Sequence, residues 1–124
     1  MSPRELFFAR LSEINGVTVL SVRGEIDTTS LASLGAHLQD VSDEGRPFVI
    51  DCINCHFRST AELSILSALA ARANRLGITW ALATDHRTIR LLEPMEVDTA
   101  IDVFSSPSDA AAFVSASATE RTSI

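Results

Sequence analysis

The chain predicts an α/β fold: a mixed four- to five-stranded sheet, with an N-terminal hairpin followed by βα repeats, packed against about four helices. Three observations predict it. Two strand-like segments flank Asn15-Gly16, a two-residue turn of the kind that closes hairpins. Phe48-Val49-Ile50-Asp51 is a short, nearly continuous apolar run, as expected of a strand covered on both faces. After the hairpin, strand-like runs alternate with segments whose apolar residues recur every 3.6 positions, and such a βαβαβ succession builds a mostly parallel sheet through right-handed crossovers. With 124 residues, 46% of them hydrophobic, the chain suits one compact core. The domain is expected over 1–116. Residues 117–124 are small and polar without periodicity, and are expected to form a loosely ordered tail.

Each element follows from local pattern. Leu6 to Ile14 reads as the first strand and Val17 to Arg23 as its antiparallel partner, with Val17, Val19 and Ser21 on one face. Gly24-Glu25-Ile26-Asp27 reads as a loop. Thr28 or Thr29 then caps a helix carrying Leu31, Leu34, Leu38 and Val41, which Asp43-Glu44-Gly45-Arg46-Pro47 ends. Phe48 to Asp51 is the central strand. Ser59 at an N-cap and Glu62 three residues on form a capping box ahead of the stripe Leu63, Leu66, Leu69, Ala73 and Leu76, with Gly77 at the C-terminal end. Ile78 to Ala83, which holds the sole tryptophan Trp80, is a fourth strand. Arg87 to Leu92 is a short helix stopped near Pro94, and Ala100 to Phe104 a fifth strand. Pro107 starts a last helix with Ala111 and Val114 facing inward.

Composition removes several function classes. Sixteen acidic residues against ten basic give a formal charge of -6, which argues against nucleic acid or an anionic membrane as partner, since both need a positive footprint. All ten basic residues are Arg, so phosphate-loop, Schiff-base and general-base lysines are absent. Met1-Ser2-Pro3-Arg4 lacks the apolar core of a signal peptide, and no apolar run reaches the roughly 18–20 residues that span a bilayer. A cytoplasmic protein is expected.

For chemistry the chain offers one cluster, Cys52-Ile53-Asn54-Cys55-His56. The spelling matches covalent haem attachment, but no export signal accompanies it. Cys52, Cys55 and His56 are three potential zinc ligands without a second pair at zinc-site spacing, and His37 and His86 lie on unrelated elements. A redox role for Cys52 and Cys55 requires a turn that brings the thiols together; otherwise they are inert residues beside a central strand. Asp51 at the end of a strand suggests a phospho-accepting receiver domain, yet that fold also needs an acidic pair after the first strand and a later lysine. Asp51 therefore reads as a turn or capping residue. No catalytic residue, metal or cofactor is expected.

Thr60 stands out for a different reason. It falls in the first turn of the longest predicted helix, where backbone N–H groups are unpaired and the helix dipole is positive, so a phosphate on its hydroxyl is accommodated electrostatically. Such a phosphate adds about -1.5 to -2 charges, in a region that by sequence also holds Asp27, Asp51 and Glu62.

The order of elements, with Gly24-Glu25-Ile26-Asp27, Phe48-Val49-Ile50-Asp51, Phe57 and Arg90-Leu91-Leu92-Glu93, resembles the STAS domain family over residues 6–115. Within it, the resemblance is to bacterial anti-sigma-factor antagonists. Members carry Phe-x-Asp-Ser-Ser-Gly-Leu at the start of the second helix; here the stretch reads Phe57-Arg58-Ser59-Thr60-Ala61-Glu62-Leu63. The resemblance places the phosphorylated serine on Thr60, with Ser59 replacing the aspartate, Ala61 the second serine and Glu62 the glycine. It implies a non-enzymatic protein-interaction module that regulates transcription by binding an anti-sigma factor which is also a serine/threonine kinase. Phosphorylation of Thr60 then releases the partner, and a phosphatase resets it. The implied interface comprises Gly24, Glu25, Ile26, Asp27, Ser59, Thr60, Ala61 and Glu62. The hairpin edge strand allows a monomer or a weak homodimer. The alternative is a divergent, non-switching STAS module acting as a scaffold or as a sensor of a small ligand or of redox state.

Overall fold

In the computed structural model, described for residues 7–93 and 101–122, the elements run β1 (Phe7–Ile14), β2 (Val17–Ile26), α1 (Thr28–Asp43), β3 (Phe48–Phe57), α2 (Thr60–Leu76), β4 (Trp80–Ala83), α3 (His86–Leu92), β5 (Val103–Phe104) and α4 (Pro107–Thr122). Leu6, Pro94, Ala100, Ser123 and Ile124, on which parts of the sequence expectation fall, lie outside the described residues. The hairpin turn is as expected: Asn15 and Gly16 both have positive φ, 53° and 79°, the geometry whose twist matches two antiparallel strands.

The sheet order is β1-β2-β3-β4-β5, antiparallel between β1 and β2 and parallel thereafter. Because each parallel strand is laid beside the previous one in the same direction, crossovers of one hand deposit their helices on one face. On that face Leu34, Leu38 and Val41 of α1 and Leu63, Leu66, Leu69, Ala70 and Ala73 of α2 pack on Leu20, Val22, Ile50 and Phe57. Phe48 stacks on Trp80 there, ring centroids 5.6 Å apart. Helix α4 covers the opposite face, setting Ala110, Ala111 and Val114 against Val17, Val19, Val49, Ala81 and Ala83. Small residues on both sides let helix and sheet approach closely.

Three expectations change. Gly24, Glu25 and Ile26 belong to β2 rather than to a loop, because they continue the parallel pairing with Cys55, His56 and Phe57. Strand β3 likewise runs on through Phe57, six residues past Asp51, since β2 remains alongside as a partner. Helix α4 continues to Thr122, into the stretch from residue 117 that is expected as a loosely ordered tail. Alanine-rich sequence propagates an existing helix, and the Thr119 hydroxyl bonds back to the Ser115 carbonyl at 2.9 Å.

Ala111 has no exposed surface and sits in a layer of small side chains. Ala111→Leu is expected to lower stability by about 1–3 kcal/mol through overpacking, read as a lower urea midpoint with unchanged slope.

Candidate functional site

Parallel pairing of β2 with β3 brings the C-terminal ends of both strands to one edge of the sheet, so α1 and α2 begin side by side. At the first start, Asp27 is the N-cap: its Oδ1 accepts from the Thr29 and Ser30 backbone N–H groups at 2.9 and 3.1 Å and from the Thr29 hydroxyl at 2.7 Å. The Ser30 hydroxyl in turn accepts from the Asp27 N–H at 3.0 Å, completing a reciprocal box. Thr28 and Thr29, expected as caps, are instead the first two helical residues, since a carboxylate accepts the orphan donors with charge assistance. The Thr29 hydroxyl bond, followed by the Ser30 N–H bond, holds the Asp27 carboxyl below its ordinary value of 3.8.

At the second start, Ser59 is the N-cap of α2. Its Oγ accepts from the Ala61 N–H at 3.2 Å and donates to Glu62 Oε1 at 2.6 Å. The same oxygen therefore satisfies a helix donor and a carboxylate that is only 8% exposed. Thr60, the next residue, is exposed, and its hydroxyl has no hydrogen-bond partner among the described residues. The two starts are tied together across the sheet edge: the Arg58 N–H donates to the Ile26 carbonyl at 3.2 Å, and Arg58 Nη1 pairs with Glu25 Oε1 at 2.9 Å. The result is one edge that carries the exposed Thr60 hydroxyl together with the charges of Glu25, Asp27 and Arg58.

The STAS domain family matches over residues 9–110. The chain belongs to the STAS domain family. This STAS domain is 30% identical over 111 residues to the anti-sigma-F factor antagonist RsfB of Mycobacterium tuberculosis, covering 89% of this chain and 91% of that protein. It is 29% identical over 75 residues to the osmosensory protein A of the same organism, a match over 60% of this chain that spans only 48% of that relative's length. Among solved structures, an anti-sigma factor antagonist from Mycobacterium paratuberculosis superposes with a TM-score of 0.77 at 22% identity, covering 93% of this chain and 99% of that one. An anti-sigma-factor antagonist (STAS) domain protein from Planctomyces limnophilus superposes at 0.65 with 18% identity, covering 86% and 97%. At these identities the superpositions establish the shared fold.

On this STAS domain the sequence-derived site residues separate into two groups. Glu25, Asp27, Ser59, Thr60 and Ala61 gather at the sheet edge, partly or fully exposed. Ile26 does not: it has no exposed surface and packs in the α1/α2 core, because on β2 it alternates inward with Val22 and Leu20. Glu62 is also turned away from solvent, folded beneath the helix start onto Ser59. Gly24 is half-buried within β2 at φ +120°, a conformation that favours glycine, so its role is to shape the strand. Asp51 lies well away from Thr60, in mid-strand, where it accepts from the Ser21 hydroxyl and the Ile53 N–H, both at 3.2 Å. It is neither a turn residue nor part of the charge around Thr60.

The cysteine motif separates as well. Cys52 and Cys55 both face the α1/α2 core with no exposed surface, whereas His56 is exposed. The three groups do not converge as haem or zinc ligands. Sequence reasoning missed Arg58 as the residue that ties the two helix starts together, because its partner Glu25 is 33 positions away.

Two measurements check this site. Ser59→Ala should cost about 1–2 kcal/mol in urea unfolding, whereas Thr60→Ala should stay within about 0.5 kcal/mol. The lowered Asp27 pKa contributes stability above the ordinary carboxylate value, and this is lost as pH falls through the folded value. Asp27→Asn keeps a capping oxygen but removes the charge, so its melting temperature should fall less steeply than wild type between neutral pH and about pH 3.

Proposed function

We propose that this STAS domain is an anti-sigma-factor antagonist, a cytoplasmic binding module without catalytic chemistry of its own. In its unmodified form it engages an anti-sigma factor of the serine/threonine-kinase type, and phosphorylation of Thr60 by that partner ends the interaction. The observation that carries the reading is the free, exposed Thr60 hydroxyl on the first turn of α2, beside a neighbouring hydroxyl already committed to the cap. Similarity to RsfB over nearly the full length of both chains supports the same reading.

The physical logic follows from the charges. A kinase reaches Thr60 without disturbing the fold, because Ser59 rather than Thr60 holds the helix end. The added phosphate introduces about -1.5 to -2 charges on an edge that holds Glu25, Asp27 and the buried Glu62 carboxylate, and the adjacent cation Arg58 already pairs with Glu25. A partner surface that matches the unmodified edge then meets excess negative charge, and like charges juxtaposed in an interface cost several kcal/mol. A loss of about 3 kcal/mol weakens binding roughly a hundredfold. The contact surface on this reading comprises Glu25, Asp27, Arg58, Ser59, Thr60 and Ala61. A phosphatase restores binding, and the protein acts as a monomer or as a weak dimer through the exposed edge strand β1, on which Phe8 and Leu11 are 53% and 58% exposed.

The test is calorimetric binding of the cognate anti-sigma factor to wild type, Thr60→Ala and Thr60→Glu, with mass spectrometry after incubation with ATP. Thr60→Ala should bind and remain unmodified, and Thr60→Glu should bind at least about tenfold more weakly. An unmodified Thr60 in wild type, together with full affinity of Thr60→Glu, would replace the switch by a non-switching scaffold.

A further inference from the structure

Cys52 and Cys55 are the one nucleophilic pair that the proposed function does not use. On a regular strand, residues three apart point to opposite faces and lie about 10 Å apart. Here the pairing with β2 slips: Ser21 opposes Asp51, but Arg23 opposes Asn54, so β3 carries one extra residue opposite Val22. This bulge resets the alternation, and Cys55 and Phe57 return to the face already occupied by Ile50 and Cys52. Asp51 Oδ1 holds the bulge through the Ile53 N–H at 3.2 Å, and the Thr84 hydroxyl donates to the Cys52 carbonyl at 3.4 Å.

The bulge sets both thiols on the same buried face, where Cys55 acts on the Cys52 thiol. That interaction first, and burial second, push the Cys52 thiol well above its ordinary range, so it stays protonated and unreactive while the strand is closed. Pairing with β4 stops at Asp51↔Ala83, and from Asn54 to Phe57 only β2 lies alongside among the described residues. This half of β3 therefore opens locally more readily than the half flanked by two strands.

We propose that Cys52 and Cys55 form a peroxide-oxidisable dithiol whose disulfide reshapes the junction between β3 and α2. On opening, hydrogen peroxide converts one thiol to a sulfenic acid, transferring one oxygen and releasing one water. The second thiol then attacks that sulfur, forming the S–S bond and releasing a second water. The two sulfurs together lose two electrons and the peroxide O–O bond takes them. Bridged cysteines hold their Cα atoms about 4.4–6.8 Å apart, a separation that tightens the chain beyond an extended strand. The closed disulfide therefore displaces Phe57, Arg58 and Ser59, the residues that carry Thr60. This goes beyond the anti-sigma reading, and its test needs no partner.

The full chain is reduced, exposed to excess hydrogen peroxide, denatured and alkylated, then measured by intact and peptide mass spectrometry. Expected are a mass lower by two hydrogens, loss of both alkylatable thiols and a Cys52–Cys55 link within one peptide. With dimedone present, Cys55→Ala should give a sulfenic-acid adduct on Cys52 in place of the disulfide. Amide exchange at 57–63 should accelerate on oxidation of wild type and not of the Cys52→Ala/Cys55→Ala double variant. Two thiols still alkylatable after peroxide, a sulfinic acid as main product, or only intermolecular dimers would overturn the dithiol. A disulfide with unchanged exchange at 57–63 would overturn its effect on the junction.

Discussion

The parallel pairing of β2 with β3 is the constraint on which the rest depends. It runs from Thr18↔Phe48 to Ile26↔Phe57, nearly the whole length of both strands. Because both strands end at the same edge, the helices that follow them must start there. Two sets of unpaired backbone donors then lie close together, and the chain satisfies each with a side chain on its own N-cap. The Arg58 N–H bond to the Ile26 carbonyl and the Arg58–Glu25 ion pair extend the pairing one step past the strand ends. The exposed ion pair adds little stability; it fixes the position of one helix start relative to the other.

A division of labour between neighbouring hydroxyls follows. Ser59 is committed to the helix by bonds to Ala61 and Glu62, and the Thr60 hydroxyl bonds to none of the described residues. A modification at Thr60 therefore changes surface charge without removing a structural bond. Glu62 is the opposite case: a carboxylate with little exposure, held by one short bond from Ser59, next to the positive end of a helix dipole. Its position converts what sequence suggests as a contact residue into part of the cap. The same bulge that lets β3 stay paired with β2 also decides the fate of the cysteines, since it turns both inward and leaves His56 outside.

Local pattern in the sequence determined the fold class, the hairpin at Asn15-Gly16, the four helices with their apolar stripes, and the place of Thr60 at the start of α2. Each of these rests on interactions within a few residues: turn dihedrals, 3.6-residue periodicity and the Ser59 cap. The tertiary structure alone decided the length of β3, the inward turn of Ile26 and Glu62, the Arg58–Glu25 link and the turn of Cys52 and Cys55 onto one face. Those depend on which strand lies alongside and in what register, and a slip of one residue on a strand exchanges inside for outside. No local signal in residues 52–57 records the slip, because its cause is a partner strand some 30 positions earlier in the chain.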